Sequence, residues 1–125
     1  MSKEAIRYLQ NAKELLSKSS IEDNAYTDIK YVREACSTAY LSILIAIDEY
    51  LIKLEVDDKR LPKSIDDYRG MLKKYLSIHN GKLSRRFESL YKELHIAGYY
   101  RGLLIDVNVI KEVFKNAKAF IEMIR

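Results

Sequence analysis

Apolar residues recur at helical spacing along most of the chain. Ala5, Ile6, Leu9, Ala12, Leu15 and Leu16 share one face of a helix over about residues 2–17. Ser17-Lys18-Ser19-Ser20 closes it, because short hydroxyl side chains compete for backbone hydrogen bonds. A second helix begins between Asp23 and Asp28, both suited to an N-cap, and continues to about Leu54 without Gly or Pro. Its core line is Val32, Cys36, Ala39, Ile43, Ile47, Tyr50 and Leu54. At 1.5 Å per residue it is the longest element, roughly 40–45 Å.

The loop after it holds the only proline, Pro62, and Ser64-Ile65-Asp66-Asp67 reads as a capping box opening a third helix. Ile65, Tyr68, Met71, Leu72, Tyr75 and Leu76 give that helix an apolar face. His79 reads as a helix C-terminal residue, and Asn80-Gly81 as a left-handed helix stop, since no strand pattern flanks it. A fourth helix over about residues 82–101 packs through Leu83, Phe87, Leu90, Leu94 and Ala97, with Gly102 as its stop. Asp106 or Asn108 caps a fifth, with Ile110, Val113, Phe114, Ala117, Phe120, Ile121 and Ile124 as its core. No segment alternates with period two long enough to argue a strand. The pattern predicts one all-α domain over residues 1–125: an up-and-down bundle of about five helices, with a four-helix-bundle core and a long second helix.

Composition agrees with a folded domain. Of 125 residues, 48% are apolar and 32% charged, which is outside the disordered range. A single Cys excludes an internal disulfide, and its place on the core line makes Cys36 a small buried hydrophobe rather than a nucleophile. The charged N-terminus lacks the apolar core of a secretory leader. The longest apolar run, residues 39–47, is broken by Ser42 and far short of the roughly 20 residues a membrane span needs. A cytoplasmic protein without membrane contact is the expectation. Neither Glu-x-x-His nor His-Glu-x-x-His occurs, and the four glycines are isolated, so no metal site, phosphate loop or cofactor is expected.

The formal charge of +4 is uneven. Residues 1–72 carry 11 basic and 13 acidic side chains, whereas residues 73–101 carry seven basic and two acidic, a net of +5. Interleaved Tyr75, Tyr91, Tyr99 and Tyr100 could stack on bases beside phosphate-binding lysines and arginines. The same pattern also describes a solvated helix face with i,i+4 pairs such as Glu88 with Lys92.

Projected as an α-helix, the fourth segment separates a core face from a polar stripe of Arg85, Glu88, Lys92, His95 and Tyr99. Ser89, Ile96 and Tyr100 point nearly opposite the core. The candidate binding residues are therefore Arg85, Lys92, Ile96, Tyr99 and Tyr100. The second helix has a second apolar face, Leu41, Leu44, Ile45 and Ile52, with Asp48 among them. Either a neighbouring helix covers it or two copies of the chain meet there as a homodimer.

Ala12-x-x-Leu15-Leu16, the stretch Tyr31-Val-Arg-Glu-Ala35 followed by Ala39-Tyr40, a Tyr-rich fourth helix and Ala117-x-x-Phe120-Ile121-x-x-Ile124 together resemble HEPN-type domains. His95-Ile-Ala-Gly-Tyr-Tyr-Arg101 is also similar to an uncharacterised small helical family. The HEPN resemblance implies an often dimeric helical bundle. It also implies either metal-independent RNase activity or a nucleic-acid-binding module that assists a nucleotidyltransferase. RNase members use an Arg, four to six intervening residues, then His, often with Tyr two positions on. His95, Arg86 and Tyr99 are the candidate catalytic set. Eight residues separate Arg86 from His95, however, and Ala97 occupies the position of the Tyr. The reading that follows is a non-catalytic, dimeric binding protein with a protein partner; nucleic-acid binding and RNA cleavage are the alternative.

Overall fold

The structure is a computed structural model and describes residues 3–76 and 81–124; the expectations for His79 and Asn80 lie outside them. Helix α1 (Lys3–Ser17) leads into strands β1 (Ile21–Glu22) and β2 (Ala25–Tyr26) and then α2 (Ile29–Lys53). A single 3-10 turn (Asp58–Arg60) precedes α3 (Ile65–Tyr75). Next come α4 (Lys82–Leu90), which runs directly into a π-helix (Tyr91–Tyr100), and α5 (Val107–Ile124). The all-α bundle stands.

The amphipathic faces assemble as the sequence pattern requires. Ala5, Leu9, Ala12 and Leu16 of α1 pack on α2, the most extensive helix pair in the molecule. Small buried residues on both sides, Ala12 on α1 and Ala35, Ala39 and Ala46 on α2, let the two backbones approach. Phe87 of α4 and Phe120 of α5 fill the centre, 6.3 Å apart between ring centroids. By length and composition α2 could cross a membrane, yet it is the central helix, with Val32, Cys36, Ile43, Ile47 and Leu51 fully buried. Its core line shifts at the C-terminal end: Leu51 is buried, Tyr50 half-buried and Leu54 exposed, because the helix stops at Lys53 and the chain turns out through Glu55 at φ 65°. At 25 residues it is roughly 37 Å long, shorter than expected.

Local chemistry sets the helix starts. The Asp28 carboxylate accepts from the Lys30 amide at 3.2 Å and caps α2. Asp106, rather than Asn108, caps α5, accepting from the Val109 amide at 2.9 Å. Ser64 accepts from the Asp67 amide at 3.1 Å; the Asp67 carboxylate reaches back to the Lys63 amide, one residue earlier than a standard capping box.

One element departs from the all-helical expectation. Residues 21–26 form a two-stranded hairpin with Ile21 opposite Tyr26 and Glu22 opposite Ala25. Asp23 and Asn24 both have positive φ, 50° and 62°, the signature of the tight turn that matches strand twist. Two residues per strand are too few to register as alternation. The hairpin is held to the start of α5 and the residues just before it: the Tyr26 amide donates to the Ile105 carbonyl at 2.8 Å and the Val107 amide to the Asn24 carbonyl at 2.9 Å.

Candidate functional site

The fourth helix begins as α and ends as π. The Arg101 amide donates to the carbonyl of Ile96, five residues back, at 2.9 Å. The wider winding brings Gly98 inward, where an α-helical projection puts Ala97; Gly98 is buried and Ala97 only half-buried. Gly98 has to be glycine there, since a Cβ would lie 2.5 Å from the Cys36 sulfur. Arg33 of α2 closes the π-helix, its Nε donating to the Tyr99 carbonyl at 2.8 Å and its Nη2 to the Tyr100 carbonyl at 2.9 Å. These are carbonyls that a helix end otherwise leaves without partners.

The same stretch builds an aromatic column. Tyr91 and His95 stack at 5.5 Å between centroids, and His95 and Tyr99 at 5.8 Å, both with 23° between planes. Tyr40 of α2 closes the column from the side, 4.9 Å from His95 and 5.9 Å from Tyr91. Arg69 of α3 lies over the Tyr91 ring at 5.5 Å. Its guanidinium is already held by two carboxylates: Glu88 at 2.5 and 3.1 Å, and Asp66 at 2.8 Å. The Arg69 hydrogen bond holds the Glu88 carboxyl below the usual carboxylate range. Glu88 thus bonds Arg69 across helices; Lys92, the i,i+4 partner expected from sequence, only adds its charge nearby. Burial pushes the Tyr40 phenol up to about 12, so it stays protonated. Beside the column, the Tyr68 hydroxyl donates to both Asp48 oxygens at 3.0 and 3.1 Å. Burial raises the Asp48 carboxyl above its ordinary value, and the Tyr68 bond opposes that shift.

This arrangement can stack, but it lacks a proton relay. Among the described residues no side chain hydrogen-bonds His95, so no group orients it as an acid or base. Cys36 is fully buried, its thiol pushed up to about 12. No three His, Cys, Asp or Glu side chains cluster as metal ligands among the described residues.

The structure brings His95 and Tyr99 together and puts Arg86 elsewhere. Arg85 and Arg86 line a groove of about 490 Å³ between α4 and α5, with Lys82, Ser89, Glu93 and Asn116. Lys92, Tyr99 and Tyr100 are exposed, and Ile96 is half-buried. The basic stretch does not form one surface. Lys74 belongs to a groove with Arg60, Lys63, Asp66 and Asp67, and Lys73 to one with Arg69 and Glu88. On α2, Leu41 and Ile52 are 44% and 50% exposed, with Leu44 and Ile45 half-buried between them. Tyr40, Asp48, Tyr68, Arg69 and Tyr91 complete the site. The i,i+4,i+8 spacing of Tyr91, His95 and Tyr99 signals the column; nothing in the sequence signals that Arg69 reaches it from another helix.

The model of the family described as Domain of unknown function (DUF5618) matches residues 1–125. Among solved structures, the chain is similar to a protein of unknown function from Dyadobacter fermentans. The two are 34% identical, with a TM-score of 0.81 over 98% of this chain and 92% of that one. No curated protein matches.

Proposed function

This chain belongs to the DUF5618 family, and we propose that it acts as a cytoplasmic, non-catalytic, homodimeric binding module, using the apolar face of α2 beside the aromatic column. The observation that carries the reading is the stripe Leu41, Ile45 and Ile52 on the bundle's central helix. Spaced by four and seven residues, these side chains share one helix face. Among the described residues Leu41 and Ile52 stay exposed and Ile45 is half-buried between them, and two copies related by a two-fold axis bury the stripe reciprocally. Tyr40 and Leu44 precede and flank the stripe on α2, and the Tyr40 ring packs on His95, which stacks in turn on Tyr99. A protein partner meets this combined face through stacking and apolar contact.

The HEPN-type alternative asks for a free arginine beside His95. Arg86 lines another groove, and Arg69, the arginine at the column, is bound by Glu88 and Asp66. One guanidinium between two carboxylates leaves that locality without excess positive charge for a phosphate. Dispersal of five of the seven cations of residues 73–101 over three grooves weighs against a nucleic-acid track in the same way.

Sedimentation velocity over a dilution series tests the dimer. The wild type is expected at twice the 14.6 kDa chain mass when concentrated. Leu41→Glu and Ile52→Glu, both exposed in the single chain, are expected at the monomer mass with unchanged helical circular dichroism. A wild type that stays at 14.6 kDa throughout, or variants that still dimerise, overturn the reading. Incubation with single-stranded RNA is expected to show no cleavage that His95→Ala abolishes.

A further inference from the structure

On another side of the bundle, α1, the hairpin and α5 enclose a cleft of about 620 Å³, within the size range of small-molecule sites. Its floor and walls are apolar: Leu16 and Phe114 are buried at the bottom, and Ile21, Tyr26 and Val107 form the sides. Four lysines stand at it, Lys13 from α1 and Lys111, Lys115 and Lys118 from α5. The α5 trio is spaced i,i+4,i+7 and so lies on one helix face. No carboxylate lines the cleft among the described residues, and none of the four lysines is in a salt bridge there.

Other observations sharpen the ligand. Ile21 is 52% exposed, a large apolar side chain at a wall rather than in the core. The Tyr26 hydroxyl has no hydrogen-bond partner among the described residues, although Tyr26 is half-buried and burial raises its pKa. The hairpin that carries both residues is pinned to the start of α5 by the Tyr26–Ile105 and Val107–Asn24 bonds, so the walls are preformed. An apolar ligand body fits the Leu16–Phe114 floor. Four ammonium groups without counter-charge exceed what one carboxylate neutralises and match a headgroup bearing more than one negative charge.

We propose that this cleft binds a single-chain amphiphile with a phosphate monoester headgroup, its chain over Leu16, Ile21 and Phe114 and its phosphate among Lys111, Lys115 and Lys118. The groove at Arg85 and Arg86 is the weaker anion site, since Glu93 shares it and its lining is largely polar. The proposal does not depend on the dimer, which uses the α2 face.

Isothermal titration of the full chain with dodecyl phosphate below its micellar concentration tests it. Saturable one-to-one binding is expected. Lys115→Gln with Lys118→Gln is expected to weaken it at least tenfold, and Ile21→Ser several-fold; all three positions are exposed, so the fold survives. Inorganic phosphate and the uncharged dodecyl maltoside are expected to compete poorly. The proposal is overturned by absence of saturable binding, or by affinity unchanged in the lysine variant. It is equally overturned by inorganic phosphate competing as well as dodecyl phosphate, or by binding only to anionic vesicles.

Discussion

Asp48 is the residue whose setting departs furthest from what its position on a helix suggests. It lies within the apolar stripe of α2, half-buried, with both carboxylate oxygens on the Tyr68 hydroxyl. Burial raises its pKa, so the folded protein holds the Asp48 proton more tightly than the unfolded chain does. Its contribution to stability is therefore fully present below the ordinary Asp value, near 4, and is lost as pH rises through the folded value. Asp48→Asn, which keeps an oxygen for Tyr68, is expected to raise the urea midpoint at pH 7 and leave it unchanged or lower at pH 3.5. Tyr68→Phe removes the bond to an ionised group and is expected to cost about 1.5 kcal/mol at pH 7. Asp48 was visible in the sequence as a lone carboxylate among Leu41, Leu44, Ile45 and Ile52. Its partner was not, because Tyr68 lies twenty residues away on α3 and reads there as an apolar-face residue.

At the scale of elements, the π-helix decides what the fourth segment presents. An α-helical projection separates Tyr91, His95 and Tyr99 by about 40° per step of four residues. The ten-residue π winding brings all three into one stacked column and turns Gly98 against Cys36. Gly98→Ala forces a Cβ into the Cys36 sulfur and is expected to destabilise by about 1–3 kcal/mol in urea titration. Cys36→Ala in the same chain is expected to recover part of that loss, a coupling that two independent sites would not show. The boundaries of α1, α3 and α5 were legible because capping residues and the apolar period agree with their packing. The switch to π winding was not, since it depends on a close contact between α2 and Gly98 that no local spacing records. The hairpin escaped for a different reason: Asp23-Asn24 is a turn signal, but two-residue strands leave no alternation to detect.

For the whole molecule, tertiary structure redistributes charge and apolar surface relative to the linear chain. Residues 73–101 form the basic block of the sequence, yet folding spreads five of their seven cations over three grooves, each of which also carries a carboxylate: Glu93, Asp66 with Asp67, and Glu88. Residues 102–125 hold a net charge of only +1, yet the α5 lysines join Lys13 around one apolar cleft that no carboxylate lines among the described residues. A window along the chain cannot find such a cluster, because α1 and α5 meet only in the bundle. The apolar face of α2 was legible, since its residues sit on one helix, while its exposure became visible only with every neighbour in place. A second copy covers that face in the proposed dimer. Methyl resonances recorded over a dilution series test this most directly. Leu41, Leu44, Ile45 and Ile52 are expected to shift with concentration, while the buried Ile110 and Ile121 stay fixed. Resonances of the α2 methyls that do not move, or shifts confined to Ile21 and Val109, contradict it.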